Sequence, residues 1–335
     1  MTIEAFERVQ LDGTGIDRIT EDEVVAVVRE ALAHGRGGRI ITPNVDILRR
    51  AAADPAVRRH LDDADLIVAD GMPLVWASRL GGVPLPERVA GSSLIWSLSE
   101  GLGRDARSVF VVGGTPASLV APKAARNAAT DGVGSAPTSR VASKAARNAG
   151  AGGVGGARAS RVASKAARNV GMDGAARAAA RLAETFPGLR IAGTLSPDYG
   201  FEEDEAAYAG FCATIVAARP DLVFVGLGFP KQEVVIERLR PELPGTWFVG
   251  CGAAVNFVAG DVERAPRWMQ RTGLEWAHRL GVEPRRLAGR YLRHDAPYAL
   301  RLLARGLSHS RLRSSPAAAP AEDREPSLRR LSAPS

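Results

Sequence analysis

The stretch from Leu222 to Cys251 restricts the fold of this chain more than any other. Leu222-Val223-Phe224-Val225 is a β-branched and aromatic run that breaks abruptly into Gly226-Leu227-Gly228-Phe229-Pro230-Lys231-Gln232-Glu233. Such a run, closed by glycine and proline, reads as a strand entering a tight loop. From Gln232 the apolar positions Val235, Ile236 and Leu239 fall at helical spacing until Pro241 and Pro244 stop them, and Trp247-Phe248-Val249-Gly250 begins another apolar run. The unit is β-loop-α-β. A parallel crossover of this kind puts its glycine loop at the carboxyl edge of a sheet, where open α/β folds bind ligands and where free backbone N–H groups favour phosphate.

The rest of the chain repeats the theme. A helix is expected from about Glu21 to His34, a strand at Arg39-Ile40-Ile41 ending in Thr42-Pro43-Asn44, and a helix through Val45, Leu48 and Ala52. Leu66-Ile67-Val68-Ala69 makes the next strand, ending at Asp70-Gly71; Ser108 to Val112 makes another, ending in Gly113-Gly114-Thr115, and Leu189 to Gly193 a further one. Strands alternating with helices predict one doubly wound parallel sheet of about six strands with helices on both faces.

Charge divides the chain. The net charge is +7, yet residues 121–173 hold nine Lys or Arg against two Asp, and residues 264–313 hold twelve Arg against three acids. Residues 314–335 balance, so the remaining body is acidic and carries two basic attachments. The first attachment is a tandem repeat: Lys-Ala-Ala-Arg-Asn begins at Lys123, Lys144 and Lys165, a period of 21. Its spacers of Gly, Ala and Ser offer almost no large apolar side chain, so the copies are expected to loop from the surface without a core of their own. No specific nucleic-acid partner is expected from its charge. The second attachment interleaves Trp, Tyr and Leu with Arg at helical spacing, and residues 314–335, rich in Pro, Ala and Ser, read as a disordered tail. The domain division is then residues 1–263, interrupted by 121–173, followed by the basic helical appendage 264–313 and the tail. Neither an eighteen-residue apolar run nor a signal peptide is seen, so a cytoplasmic location is expected. Cys212 and Cys251 lack metal or disulfide spacing and read as buried thiols.

Several of these segments carry a resemblance. Thr42-Pro43-Asn44, Ala69-Asp70-Gly71, Glu87-Arg88-Val89 with Gly91, Gly228-Phe229-Pro230-Lys231-Gln232-Glu233, Arg264-Ala265-Pro266, and Leu274-Glu275-Trp276 through Arg290-Tyr291 together resemble the WecG/TagA/CpsF family of bacterial glycosyltransferases, in order and spacing, over about residues 39–295 without the repeat. The resemblance implies a Rossmann-like fold and an inverting transfer of a sugar from a nucleotide donor, commonly UDP-linked, to a polyprenyl-diphosphate-linked sugar at the inner face of the cell membrane. Two positions depart from the family pattern: Asn256 stands where Asp is usual, and Gly289 where another Arg is common.

Inverting transfer needs a base for the acceptor hydroxyl, and a carboxylate at a strand's carboxyl end suits that task. Asp70 is the candidate, with helix capping as its structural alternative. Thr42 and Asn44 offer neutral hydrogen-bonding groups for sugar hydroxyls or for a turn around Pro43. Arg88 can neutralise a diphosphate and Gln232 can donate to sugar or phosphate oxygens, against an ion pair and a helix cap respectively. Gly113, Gly114, Gly228 and Gly252 are candidates for the nucleotide pocket, with Lys231 beside them. Arg279, Arg286 and Arg290 match the closing basic motif and are expected to meet a diphosphate or an anionic membrane surface. No paired acidic motif such as DxD stands at a strand end, so neither a metal nor a cofactor is expected. Self-assembly is left open. The competing reading is a dinucleotide-binding oxidoreductase, although no strand-end G-x-G-x-x-G with a following acid supports it.

The repeat is expected to be dispensable. Deleting Ala121 to Val162 leaves the melting temperature and the activity close to those of the full chain, as read by thermal unfolding and turnover; a large loss of either would make the repeat structural.

Overall fold

The computed structural model describes residues 6–120, 172–282 and 284–314. The 21-residue repeat and the terminal tail fall outside these residues.

An antiparallel hairpin opens the chain, β1 (Arg8–Leu11) and β2 (Thr14–Asp17). Its turn, Asp12-Gly13, takes positive φ at both residues, 50° and 79°, the conformation that Asp-Gly supplies in two-residue hairpins. Next come α1 (Glu21–Ala33), β3 (Gly38–Ile41), α2 (Val45–Ala53), α3 (Pro55–Asp62), β4 (Leu66–Ile67), α4 (Met72–Leu80), α5 (Gly91–Arg104), β5 (Ser108–Gly113) and α6 (Ala117–Val120). Beyond the repeat lie α7 (Gly174–Thr185), β6 (Arg190–Leu195), α8 (Glu205–Ala218), β7 (Leu222–Gly226), α9 (Lys231–Leu239), β8 (Trp247–Gly250) and α10 (Ala254–Ala259). The C-terminal region is helical: α11 (Arg267–Thr272), α12 (Glu275–Val282), α13 (Pro284–Arg290), a π-helical turn (Tyr291–Asp295) and α14 (Ala296–Ser314).

Six strands form one parallel sheet in the order β4-β3-β8-β7-β5-β6, as the alternation of strands and helices predicts. Capping explains where several helices start. Thr20 and Glu23 form a reciprocal capping box on α1, Asn44 caps α2, and Asp54 caps α3 with Pro55 at its first position. Asp54-Pro55 thus separates α2, the helix expected through Val45, Leu48 and Ala52, from α3.

The side-chain period of two sorts each strand onto two faces. Ile40, Val109, Val111, Leu222, Phe224, Trp247 and Val249 face α1, α5, α7 and α10 in one continuous apolar cluster. On the opposite face the apolar residues fall into two groups. Phe110, Val112, Val223, Val225 and Phe248 pack with α8 and α9, whereas Ile41 and Ile67 pack with α2, α4, the hairpin and Tyr298 and Leu302 of α14. Arg39 of β3 stands on this face at 0% exposure. Its guanidinium donates to Glu233 Oε2 at 2.9 Å, also at 0% exposure, and to Asp63 Oδ2 at 2.8 Å, with Glu237 Oε1 3.7 Å away.

Gly174 N–H donates to Thr115 O at 2.8 Å, so α7 starts against the end of β5.

Arg39→Ala strands Glu233 as a buried charge and is expected to lower unfolding stability by about 3–5 kcal/mol, whereas replacing Arg39 and Glu233 together by Met and Leu recovers most of that loss. Urea denaturation of the two variants checks this. A single substitution as benign as the double would show the pair to be unimportant.

Candidate functional site

All six strands point their carboxyl ends to one edge, and the loops there are stitched together by backbone bonds. Asp70 N–H donates to Pro43 O at 3.0 Å, Val89 N–H to Ala69 O at 3.0 Å, and Cys251 N–H to Val225 O at 3.0 Å. The first of these bonds joins the ends of β3 and β4, and the second holds Arg88 beside Asp70. Glu275, the first residue of α12, completes the group. Its Oε2 accepts from Arg88 Nη1 at 3.0 Å and its Oε1 from Arg279 Nη2 at 3.3 Å, with Arg264 Nε 3.9 Å away. Arg88 Nη1 also lies 3.9 Å from Asp70 Oδ1. Arg279 stacks over Phe257, 5.1 Å from its ring centre, and Arg264 donates to Ser92 O at 3.2 Å while its buried Nε has no hydrogen-bond partner among the described residues.

The electrostatics follow from this crowding. Burial pushes the Asp70 carboxyl above its ordinary value; Arg88, Arg279 and Arg264 oppose the rise and Glu275 adds to it. Asp70 nevertheless keeps 30% of its side-chain exposure, so solvent and ligands can reach it. Burial also acts to raise Glu275, but the charges of Arg279, Arg88 and Arg264 outweigh it and hold that carboxyl below its usual range. Two neighbouring carboxylates thus have opposite tendencies: Glu275 is held below its ordinary value and Asp70 above it.

The other predicted residues have different settings. Thr42 is buried and donates its hydroxyl to Gly250 O at 3.2 Å, tying β3 to β8. Gln232 is 4% exposed, and both ends of its amide are engaged, Nε2 donating to Glu233 Oε1 at 2.8 Å and Oε1 accepting from Gly252 N–H at 3.0 Å. Both residues therefore face the interior and position the loop after β8. A Cβ on Gly250 would stand 2.4 Å from Gln232 Nε2 and 2.6 Å from Glu233 Oε1, so a side chain there would displace both groups. Asn44 is exposed, with its Oδ1 committed to capping α2 at Ile47 N–H, 3.1 Å away.

Gly113, Gly114 and Gly228 stand at the loops after β5 and β7, where the connections reverse direction, from β5 outward to β6 and from β7 inward to β8. That reversal opens a crevice in doubly wound sheets. Gly113 has φ 113°, and a Cβ on it would lie 2.5 Å from Gly226 O. Gly113 and Gly114 lie four strand spacings from the strand that ends at Asp70, about 19 Å at ordinary spacing, and Gly228 three, about 14 Å. Lys231 is paired with Glu202.

Arg290 belongs elsewhere, lying over Tyr291 and 3.7 Å from Asp295. Arg286 is carried by α13, its side chain outside those described. Asn256 sits on α10 with a buried Oδ1 that finds no partner among the described residues. Cys212 and Cys251 are both buried, and burial pushes the Cys251 thiol up to about 12, which removes it as a nucleophile.

Sequence reasoning placed Arg264 and Glu275 in recognisable motifs but gave neither a role. The signal that could have found them was the clustering of three arginine-bearing motifs around a single acid on the Leu274-Glu275-Trp276 segment. Two hollows of about 640 and 650 Å³ lie away from Asp70, around Arg59, Asp63 and Arg240 and around Arg18, Thr20 and Pro84.

The arrangement combines a partly exposed carboxylate, three clustered arginines and glycine turns along one sheet edge. Comparison with known proteins agrees. Residues 9–144 and 158–312 match the description "Glycosyl transferase WecG/TagA/CpsF family". A relative from Bacillus spizizenii, named N-acetylglucosaminyldiphosphoundecaprenol N-acetyl-beta-D-mannosaminyltransferase, is 29% identical over 255 residues, covering 76% of this chain and 75% of its own. A protein of the same name from Bacillus subtilis is 36% identical over 105 residues, 31% of this chain and 39% of its own. The chain belongs to the WecG/TagA/CpsF family and is a glycosyltransferase.

Proposed function

We propose that this enzyme transfers an N-acetylmannosamine-type sugar, with inversion, from a UDP-linked donor to a sugar carried on a polyprenyl diphosphate, in the synthesis of a cell-surface polymer. The observation that carries the reading is Asp70, 30% exposed and raised in basicity by burial, beside a basket of Arg88, Arg264 and Arg279. In this mechanism Asp70 takes the proton of the acceptor hydroxyl as its oxygen attacks the anomeric carbon. The bond from that carbon to the donor diphosphate breaks, and the arginines receive the charge that develops on the leaving group. Gly252, held by Gln232, and the glycines at the β5/β7 crevice would leave backbone free to approach the nucleotide. The names of the two relatives support the sugar and the lipid-linked acceptor.

A lipid-linked acceptor requires the enzyme to reach a membrane surface. Among the described residues no helix is long and apolar enough to cross one. The C-terminal helices instead expose Trp268, Trp276, Val282 and Leu292 among their arginines, a composition suited to peripheral attachment at the anionic inner leaflet.

Presenting UDP-linked N-acetylhexosamines with a short-chain lipid diphosphate N-acetylglucosamine tests the reading: transfer of the manno-configured sugar is expected, together with binding of UDP and not of NAD. Asp70→Asn is expected to keep nucleotide affinity and lose roughly 10²- to 10⁴-fold in turnover. A carboxyl whose folded-state pKa is raised binds its proton more tightly folded than unfolded, so its ionisation costs stability as pH rises between the two values. The Asn variant therefore melts no lower than the parent at neutral pH. The parent loses kcat/KM as pH falls through a value above about 3.9, the ordinary carboxylate pKa, and the variant's residual activity lacks that limb. Near-normal turnover in Asp70→Asn removes it from the mechanism. Replacing Trp268 and Leu292 by Ser is expected to reduce sedimentation with anionic vesicles at physiological salt; unchanged sedimentation refutes this membrane surface.

A further inference from the structure

Arg88 stands between two carboxylates and is committed to one of them. Its Nη1 is 3.0 Å from Glu275 Oε2, within hydrogen-bonding distance, and 3.9 Å from Asp70 Oδ1, outside it. Glu275 is the more buried of the two, with 10% of its side chain exposed against 30% for Asp70. It also holds Arg279 at 3.3 Å and has Arg264 Nε at 3.9 Å, so one carboxylate gathers all three arginines of the basket. We propose that Glu275 is a positioning residue that diverts Arg88 from Asp70 and thereby keeps Asp70 a usable base; this rests on the reading of Asp70 as general base.

The reasoning is competitive. An arginine in hydrogen-bonded contact with an aspartate lowers its pKa by about 1–3 units and makes it a poorer proton acceptor. A basket needed for a diphosphate must nevertheless stand near the attacking hydroxyl and its base. A second, buried carboxylate resolves the conflict: it engages the arginines before substrate arrives and leaves Asp70 outside the hydrogen-bonding reach of Arg88. The charged groups that face Asp70 are Arg88 from the loop before α5, Arg264 from the loop before α11, and Glu275 and Arg279 from α12; Glu275 is the acid among them, and its charge acts to strengthen Asp70 as a base.

Glu275→Gln keeps the size and an oxygen acceptor for the arginines but removes the competing charge. Arg88 is then expected to close on Asp70. The acid limb of the kcat/KM profile moves down by about one pH unit, the low end of the range for such contacts. On the plateau kcat falls several-fold, while the KM for the nucleotide sugar does not rise, because the basket has gained net positive charge. Adding Arg88→Gln to Glu275→Gln returns the limb upward. A merely structural Glu275 would instead raise KM and leave the limb in place. Where turnover is too slow to profile, ¹³C NMR titration of the Asp70 carboxyl reads the same shift. Should Glu275→Gln unfold below the assay temperature, Glu275→Asp, which withdraws the carboxylate by one methylene, gives a smaller shift in the same direction. A limb that stays in place in these variants, while Asp70→Asn abolishes it, overturns the inference and leaves the base assignment intact. A limb that persists in Asp70→Asn overturns the base assignment itself.

Discussion

One face of the sheet is partitioned by a charge. Arg39 comes from the middle of β3, where an apolar residue would extend the core, and it has no exposed surface. Desolvating a guanidinium is costly unless its partners are equally well placed, and here Glu233 answers it from the first turn of α9 with Asp63 beside it. The apolar clusters to either side are therefore separate, and α9 can dock in only one register against β3. That register fixes Gln232, one residue before Glu233, and Gln232 in turn holds Gly252 N–H at the carboxyl edge. The loop after β8 thus takes its shape from an ion pair buried behind it.

The edge itself separates duties among similar residues. Asp70 and Glu275 are both carboxylates within reach of Arg88, yet burial dominates one and arginine charge the other. Thr42 and Gln232 show the same economy with neutral groups. Hydrogen-bonding capacity that could have served a ligand is used to hold strand ends together, leaving the charged side chains and bare backbone to face outward.

Much of the scaffold was legible because its physics is local. The continuous apolar runs Val109 to Val112 and Leu222 to Val225 require two covered faces, and the glycine and proline punctuation places the loops, so the six parallel strands and their carboxyl-edge residues could be read directly. The Asp12-Gly13 signal for the hairpin was equally local and was overlooked because only four residues flank it on either side. The strand at Leu66 is two residues long instead of the four its apolar run suggests; Ala69 O turns away to accept Val89 N–H. The site was legible as motifs and not as contacts. Arg88 and Glu275 are 187 residues apart, and no periodicity reports which guanidinium an acid will choose. The inward orientation of Gln232 had no local signature either, since it depends on Arg39 across the sheet.

Asp70 and Arg88 come from the first third of the chain, and Arg264, Glu275 and Arg279 from its last quarter. During synthesis the strand bearing Asp70 emerges long before the helix that supplies its counterions. A growing chain therefore carries Asp70 and Arg88 without Arg264, Glu275 and Arg279, and the full charged cluster at this edge comes into being only once the C-terminal helices have been made.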